Sequence, residues 1–450
     1  MKFQSTRGDI AETFLEAFNK GLAGDGGLYI PTELPNLTDR FDSLAKLSYP
    51  ELVAEFMSYF DNEISKEDWK KLAAKSYEAF ASKDVVSLVE LTKDLHVLEL
   101  FHGPTLAFKD FALQIVGNLY EYEVRVHGKR YTIVGATSGD TGSAAIHSVL
   151  NKENIDIFIM YPKGKIAPLQ ELQITTTVAH NVFPISIEGT FDDAQAIVKK
   201  LFADTEFSQH INLAAVNSIN IARILAQSAY YLYAFLKLRS TTKLPIKFVV
   251  PTGNFGNILS GWLLTKMGMD ASFVAATNEN DVLHKLFTTG MYQKQSAQST
   301  HAPSMDIQQA SNFERLIYYM FEGDTERVVR TMKEFNEKGN VAFDTNLFPK
   351  NITTATTSNE NIIEVIKSFF TQYNYILDPH TACAAPHITP GYCNVILATA
   401  SPAKFPDTIE NAIKVHPTDP RLESVKDLPQ QKVELPADIE KVKKYILETI

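Results

Sequence analysis

The sequence predicts an α/β fold built on mostly parallel sheets with flanking helices. Three observations predict it. Short β-branched runs alternate with helical segments from about residue 130. Two glycine-rich turns each stand between a strand and a helix. Two further apolar runs late in the chain read as buried strands. Alternation of this kind builds right-handed strand–helix–strand units, whose strands are parallel.

Taken in order, residues 1 to about 95 read mainly as helices rich in Glu, Lys, Phe and Tyr, broken by a glycine-rich turn at Gly24–Gly27. The alternation then runs Tyr131–Thr137 with Ser143–Leu150, Ile155–Tyr161 with Pro168–Ala179, and Val182–Ile187 with Asp192–Phe202. Asn220–Leu238 is a long helical stretch with apolar residues on more than one face, which predicts deep burial. Ile246–Val250 is a strand entering Pro-Thr-Gly-Asn-Phe-Gly-Asn and a helix. Phe273–Ala276 and Asn394–Thr399 are the late buried strands, and Asp438–Ile450 reads as a closing amphipathic helix. No repeat or low-complexity segment interrupts this order.

Composition excludes several functions. A chain of 450 residues is too long for one simple core and predicts two or three domains. With 45% hydrophobic and 21% charged residues it is ordinary for a globular protein. A net charge of −10 without a long Lys/Arg run argues against nucleic acid as partner. Nothing is apolar enough to span a bilayer, and Met-Lys-Phe-Gln-Ser-Thr-Arg-Gly at the start lacks a signal core, so no membrane association is expected. Cys383 and Cys393 are too few for a disulfide framework and lack the partners of a zinc site. The expectation is a cytoplasmic protein without a metal.

Five segments carry chemistry. In His102-Gly-Pro-Thr-Leu-Ala-Phe-Lys-Asp110 a Gly-Pro turn leads into a helix start and sets Lys109 among apolar neighbours. A desolvated lysine loses basicity and becomes an amine able to condense with an aldehyde cofactor. Ala136–Ala145, reading Ala-Thr-Ser-Gly-Asp-Thr-Gly-Ser-Ala-Ala, joins a strand to a helix. Its backbone N–H groups and the hydroxyls of Thr137, Ser138 and Thr141 suit a carboxylate or phosphate, although a merely capped turn has the same look. It is neither a Walker loop nor a Rossmann fingerprint. Pro251–Asn257 is a second such turn: Gly253 and Gly256 permit close backbone approach, and Asn254 and Asn257 carry amide donors. In Asn217-Ser-Ile-Asn-Ile-Ala-Arg223, Asn220 and Arg223 stand three apart on one expected helix face, and Arg223 suits bidentate phosphate recognition. Leu397-Ala-Thr-Ala-Ser401 ends a strand where α/β sheets place ligands.

Together with Ser5–Gly8, Gly21-Leu-Ala, Asp25–Pro31, Ala302–Ile307, Ser311–Arg315 and Asp378–Thr381, these segments resemble the threonine synthase family, in the family's order from residue 5 to about 405. The resemblance implies the fold type II architecture of pyridoxal-phosphate (PLP) enzymes, tryptophan synthase β-like, with a helical N-terminal region. It implies division into residues 1–95, a family-specific region; 96–135 with 215–450, a large PLP-binding domain; and 136–214, a small substrate domain. Lys109 would be the cofactor lysine and the catalytic group. Gly253, Asn254, Phe255, Gly256 and Asn257 would hold the cofactor phosphate, Asp140 would face the cofactor's 3′-oxygen, and Thr399 would lie near its pyridine nitrogen. Thr137, Ser138, Gly139 and Thr141 would grip the substrate carboxylate. Asn217, Ser218, Asn220 and Arg223 would lie near the substrate phosphate, with Lys163 and Lys165 as candidates to share that role. The implied reaction turns O-phospho-L-homoserine and water into L-threonine and inorganic phosphate, by a monomer or small homo-oligomer. Two departures stand out: Ser401 where the family commonly has His before Pro, and Ala384–Pro386 in a segment that usually continues as a helix. A dehydratase on the same fold, and a catalytically silent PLP-fold protein, are the alternatives.

Overall fold

The computed structural model describes all residues from 1 to 450. Every residue of the Ile246–Pro251 strand is buried. Phe248 and Val250 enter the main core, while Val249 enters a second core on the opposite face. Burial on both faces is what an interior parallel strand requires. The six-stranded sheet runs Ile352–Thr356, Ala271–Thr277, Ile246–Pro251, Cys393–Ala398, Leu95–Glu99, Ser87–Thr92. Its first five strands are parallel, and Ser87–Thr92 closes the edge antiparallel.

A second, wholly parallel sheet has the order Val433–Pro436, Val182–Glu188, Ile155–Pro162, Tyr131–Ala136, Leu213–Ala214. Helices Lys109–His127 and Ile221–Leu238 lie in the main core shared by the two sheets. Ile221–Leu238 buries every residue except Tyr233 and Lys237, as its two-sided apolar pattern predicts. The helix Phe191–Ala203 and the closing helix Ile439–Thr449 cover the outer face of the second sheet, through Ile197, Val198, Val442 and Ile446.

The expected division of the chain needs three corrections. Residues 1–95 carry the expected helices, among them Phe14–Lys20, Tyr49–Ser58 and Lys66–Tyr77, but not helices alone: Phe3–Ser5, Ile10–Ala11 and Tyr29–Pro31 form an antiparallel sheet, and Ser87–Thr92 belongs to the large sheet. Phe14, Phe18 and Trp69 pack into the same core as Phe111 and Tyr230, so this region is not a separate body. The strand Tyr131–Ala136, expected partly in the large domain, lies in the small sheet. The chain end also crosses over, because Val433–Pro436 pairs in parallel with Val182–Glu188. Such non-local pairing carries no local signal, since four residues are too few to announce their partner.

Candidate active site

Parallel strands deliver their C-terminal ends to one edge, where the following turns expose helix N-termini. Four such segments converge here: the turn after Tyr131–Ala136, the turn after Ile246–Pro251, the end of Cys393–Ala398, and the loop opening Lys109–His127. The last two are tied directly. The Phe108 N–H donates to the Thr399 carbonyl at 2.9 Å and the Ser401 N–H to the Leu106 carbonyl at 3.0 Å. Thr399 also donates its N–H to Thr381 Oγ1 at 3.3 Å, which fixes it beside the lysine loop.

Lys109 begins its helix, and its side chain is 14% exposed. Asp110 locks the loop before it, accepting from Thr105 N–H at 2.8 Å and Thr105 Oγ1 at 2.7 Å. Burial lowers the Lys109 ammonium below its ordinary value; Asp140 opposes this, and the Arg223 and Lys404 charges add to it. Asp140 lies 3.7 Å away through Oδ2. Burial by itself would raise the Asp140 carboxyl, but Lys404, Lys109 and His380 outweigh it and hold the group far below the carboxylate range.

The turn that carries Asp140 is shaped by Gly139, with φ 146° and ψ −109°, a conformation closed to L side chains; a Cβ there would come within 2.4 Å of Gln170 Oε1. Thr137 is committed to this turn. Its hydroxyl accepts from the N–H groups of Gly139 and Gly142 at 3.0 and 2.9 Å and donates to the Gly139 carbonyl at 2.9 Å. It shapes the site instead of reaching into it, which corrects its expected ligand role. Ser138 is exposed, Thr141 is half-buried, and the amides of Asp140 and Thr141 occupy a helix first turn, where no partner exists within the helix.

In the second turn Phe255 takes φ 63° without being glycine, a strained conformation held by burial against Phe313. It opens the helix Gly256–Thr265. Asn257 accepts from Tyr230 Oη at 2.6 Å and Tyr231 Oη at 2.8 Å, which turns its amide so that the buried Nδ2 has no partner. Asn254 is exposed at the tip, where its Oδ1 accepts from Ser311 Oγ at 3.3 Å. Ser311 Oγ lies 3.5 Å from Ser218 Oγ, and Asn312 donates its Nδ2 to the Ser218 carbonyl and its N–H to the Asn254 carbonyl. The two loops expected to bind anions are thus joined through one segment.

Arg223 is 3% exposed. Its Nη1 donates to the Val216 carbonyl at 2.9 Å, while its Nε is buried without a partner. Burial pushes its guanidinium down to about 10, still charged at neutral pH. Asn217 and Ser218 line the same loop half-buried. Asn220 does not join them. Fully buried, it caps the helix by accepting from Ala222 N–H and spends its Nδ2 on the carbonyls of Phe18 and Ala215. It precedes the helix, so the expected shared face with Arg223 does not form. Lys163 and Lys165 are exposed, and Lys163 pairs with Glu434 at 2.6 Å, whereas Arg223 is buried.

Sequence reasoning missed Lys404. Its side chain is fully buried, and Nζ lies 2.7 Å from Asp140 Oδ1 and donates to the Thr105 carbonyl at 2.7 Å. Ser401, the departure from the family's His, accepts from Ala403 N–H and caps the short turn bearing Lys404. The signal was a lysine six residues beyond the C-terminal end of the parallel strand Cys393–Ala398. Gln170 and Ser304, donating to Asp140 at 2.8 and 3.2 Å, had no such signal. Ala384–Pro386 does interrupt a helix, as expected: Pro379–Ala384 ends there and passes into a 3-10 turn at Ala385–His387.

Lys109 and Lys404 flank the ionised Asp140, Arg223 lies close enough for its charge to act on Lys109, and Asp110, the other carboxyl that senses Lys404, is raised by burial to about 6. This surplus of buried positive charge, with orphaned donors on Arg223 and Asn257, fits an anionic cofactor and substrate. An amine of lowered basicity beside them fits an aldehyde, so the residues present suit PLP.

Comparison with known proteins agrees. Models described as threonine synthase N terminus, pyridoxal-phosphate dependent enzyme, and threonine synthase C-terminal match residues 2–77, 86–346 and 380–446. A threonine synthase of Saccharomyces cerevisiae is 42% identical, covering 91% of this chain and 89% of that protein. One from Pseudomonas aeruginosa is 41% identical over 92% and 90% of the respective chains. The crystal structure of PLP-bound threonine synthase from Brucella melitensis superposes with a TM-score of 0.94 at 37% identity, covering 100% of this chain and 99% of that one.

Proposed function

The chain belongs to the threonine synthase family, and on that premise we propose how its own residues divide the work. It is a PLP-dependent lyase that converts O-phospho-L-homoserine and water into L-threonine and inorganic phosphate. Lys109 holds the cofactor. Gly253–Asn257 takes the cofactor phosphate at a helix start, where unpaired amides favour anions. Thr399 borders the ring beside the lysine loop. Ser138, Thr141 and the first-turn amides of the Asp140–Val149 helix receive the substrate carboxylate, on a turn braced by Thr137 and Gly139. Arg223, with Asn217 and Ser218, receives the substrate phosphate.

When bound, PLP withdraws electrons from Cα and makes its proton removable. The Lys109 amine takes that proton and moves one at Cβ, a task suited to an amine whose basicity burial has lowered. Arg223 stabilises charge on the phosphate as it leaves Cγ. The observation that carries this reading is the set of three buried cations, Lys109, Lys404 and Arg223, of which Arg223 has no carboxylate partner and an orphaned Nε. A dehydratase substrate brings no phosphate for the orphaned Arg223, which favours the synthase reading over that alternative.

The test is release of phosphate from O-phosphohomoserine with threonine as co-product, together with borohydride reduction of the holoenzyme. The reduced cofactor is expected on Lys109, and Lys109→Ala loses both adduct and turnover; an adduct on another lysine overturns the assignment. Cytoplasmic location and a monomer or small homo-oligomer complete the proposal; the two buried cysteines are unpaired, and no helix is long and apolar enough to cross a membrane. Light scattering on the purified protein checks the assembly.

A further inference from the structure

Asp140 is one carboxylate between two ammonium groups, and it serves them unequally. Oδ1 lies 2.7 Å from Lys404 Nζ and accepts from Gln170 Nε2 at 2.8 Å. Oδ2 accepts from Ser304 Oγ at 3.2 Å and lies 3.7 Å from Lys109 Nζ. The short contact therefore goes to Lys404 and the long one to the cofactor lysine. Lys404 has no exposed atom on its side chain, and its other bond is to the Thr105 carbonyl in the loop leading to Lys109. Burying a lysine completely is costly unless it is paired, so Lys404 is bound to this carboxylate.

We propose that Lys404 is a positioning residue for the reaction: by occupying Asp140 Oδ1 it keeps the carboxylate from pairing fully with Lys109. A lysine fully paired with a carboxylate is held as an ammonium, which neither condenses with an aldehyde nor takes a proton from carbon. With Lys404 in place the pair is nearly neutral toward its surroundings, and Lys109 feels a weakened counter-charge. The other charged groups are few. Arg223 acts on Lys109, His380 on Asp140, and Asp110 and His147 both sense the Lys404 charge. None of them provides Lys404 with a second ion pair.

The inference rests on Lys109 being the cofactor lysine, and it is tested on the PLP-loaded protein by spectroscopy. The readout is the pH at which visible absorbance changes as the nitrogen of Lys109 loses its proton. Lys404→Met leaves Asp140 to Lys109 alone and removes a repelling cation, so the midpoint rises by about one pH unit. Asp140→Asn leaves Lys109 facing two cations and no carboxylate, so the midpoint falls by a similar amount. The Asp140→Asn/Lys404→Met double variant returns toward the parent. It buries no unpaired charge of this pair, so the test stays readable where a single variant folds poorly. A loosened fold would move both single variants the same way; opposite shifts require the charge relation. An unmoved midpoint in Lys404→Met, or shifts of one sign in both single variants, overturns the proposal. Peptide mapping of the borohydride-reduced parent keeps the two readings apart: an adduct off Lys109 fails the site assignment, whereas an adduct on Lys109 with unmoved midpoints fails only the role of Lys404.

Discussion

Arg223 and His147 show what single buried groups do here. Arg223 stays charged without a carboxylate, and its Nε lacks any partner, so it is ready for an anion. Arg223→Ala should remove roughly 2–5 kcal/mol of transition-state stabilisation with phosphohomoserine. Slow turnover of serine or threonine, which carry no phosphate, should fall far less, and the PLP absorbance should persist. Equal losses on both substrates would mean that Arg223 supports the fold through Val216. His147 behaves oppositely. Burial, helped by the Lys404 charge, lowers its imidazole to about 4. The unfolded chain takes up that proton near 6.5 and the folded chain only near 4, so acidification through this window favours unfolding, while above it the group is silent. Urea titrations from pH 7 to 4 should show this loss, and His147→Gln should flatten it.

At the scale of elements, the helix Phe313–Met320 organises the site without lining it. Arg315, fully buried, donates to the carbonyls of Tyr29 and Ile219 and to Asn312 Oδ1. Glu314 accepts from Thr6 Oγ1 at 2.6 Å and from both sides of the Arg7 guanidinium at 2.9 Å. The N-terminal Ser-Thr-Arg-Gly segment thereby clamps the helix that joins the Asn254 and Ser218 loops. Arg315→Met leaves two buried carbonyls without their donor, a cost of about 2–4 kcal/mol. Denaturant unfolding should register that loss, and KM for phosphohomoserine should rise while PLP remains bound. An unchanged KM would separate the clamp from the substrate loop.

Across the whole molecule, the chain end fastens the small sheet from outside. Val433–Pro436 covers the edge of Val182–Glu188, and Ile439–Thr449 places Val442 and Ile446 against Ile197 and Val198. Lys443 pairs with Asp204 across the same contact. Removing residues 430–450 exposes a parallel strand edge and part of a core, a combination that invites aggregation. Amides of Val182–Glu188 should then exchange faster with solvent, while those of the interior Ile246–Pro251 strand stay protected. Uniform protection in the truncated chain would show that the strand only decorates the sheet.

The α/β class, the strand–helix alternation from Tyr131 to Phe202, the lysine loop and the two glycine-rich turns were legible in the chain, because each rests on local periodicity or on glycine at a fixed turn position. Ile221–Leu238, Ile246–Pro251 and Lys109 were legible for that reason. Tertiary structure alone decided what the polar side chains in those segments do. Thr137 and Asn220 look like ligands in the chain but spend their hydrogen bonds on backbone, and Lys404 looks like any surface lysine until packing removes its water. A side chain's role depends on which partners remain free after folding, and the decisive ones can lie hundreds of residues away: Lys404 and Asp140 meet only because strands of two different sheets bring their turns to one cleft.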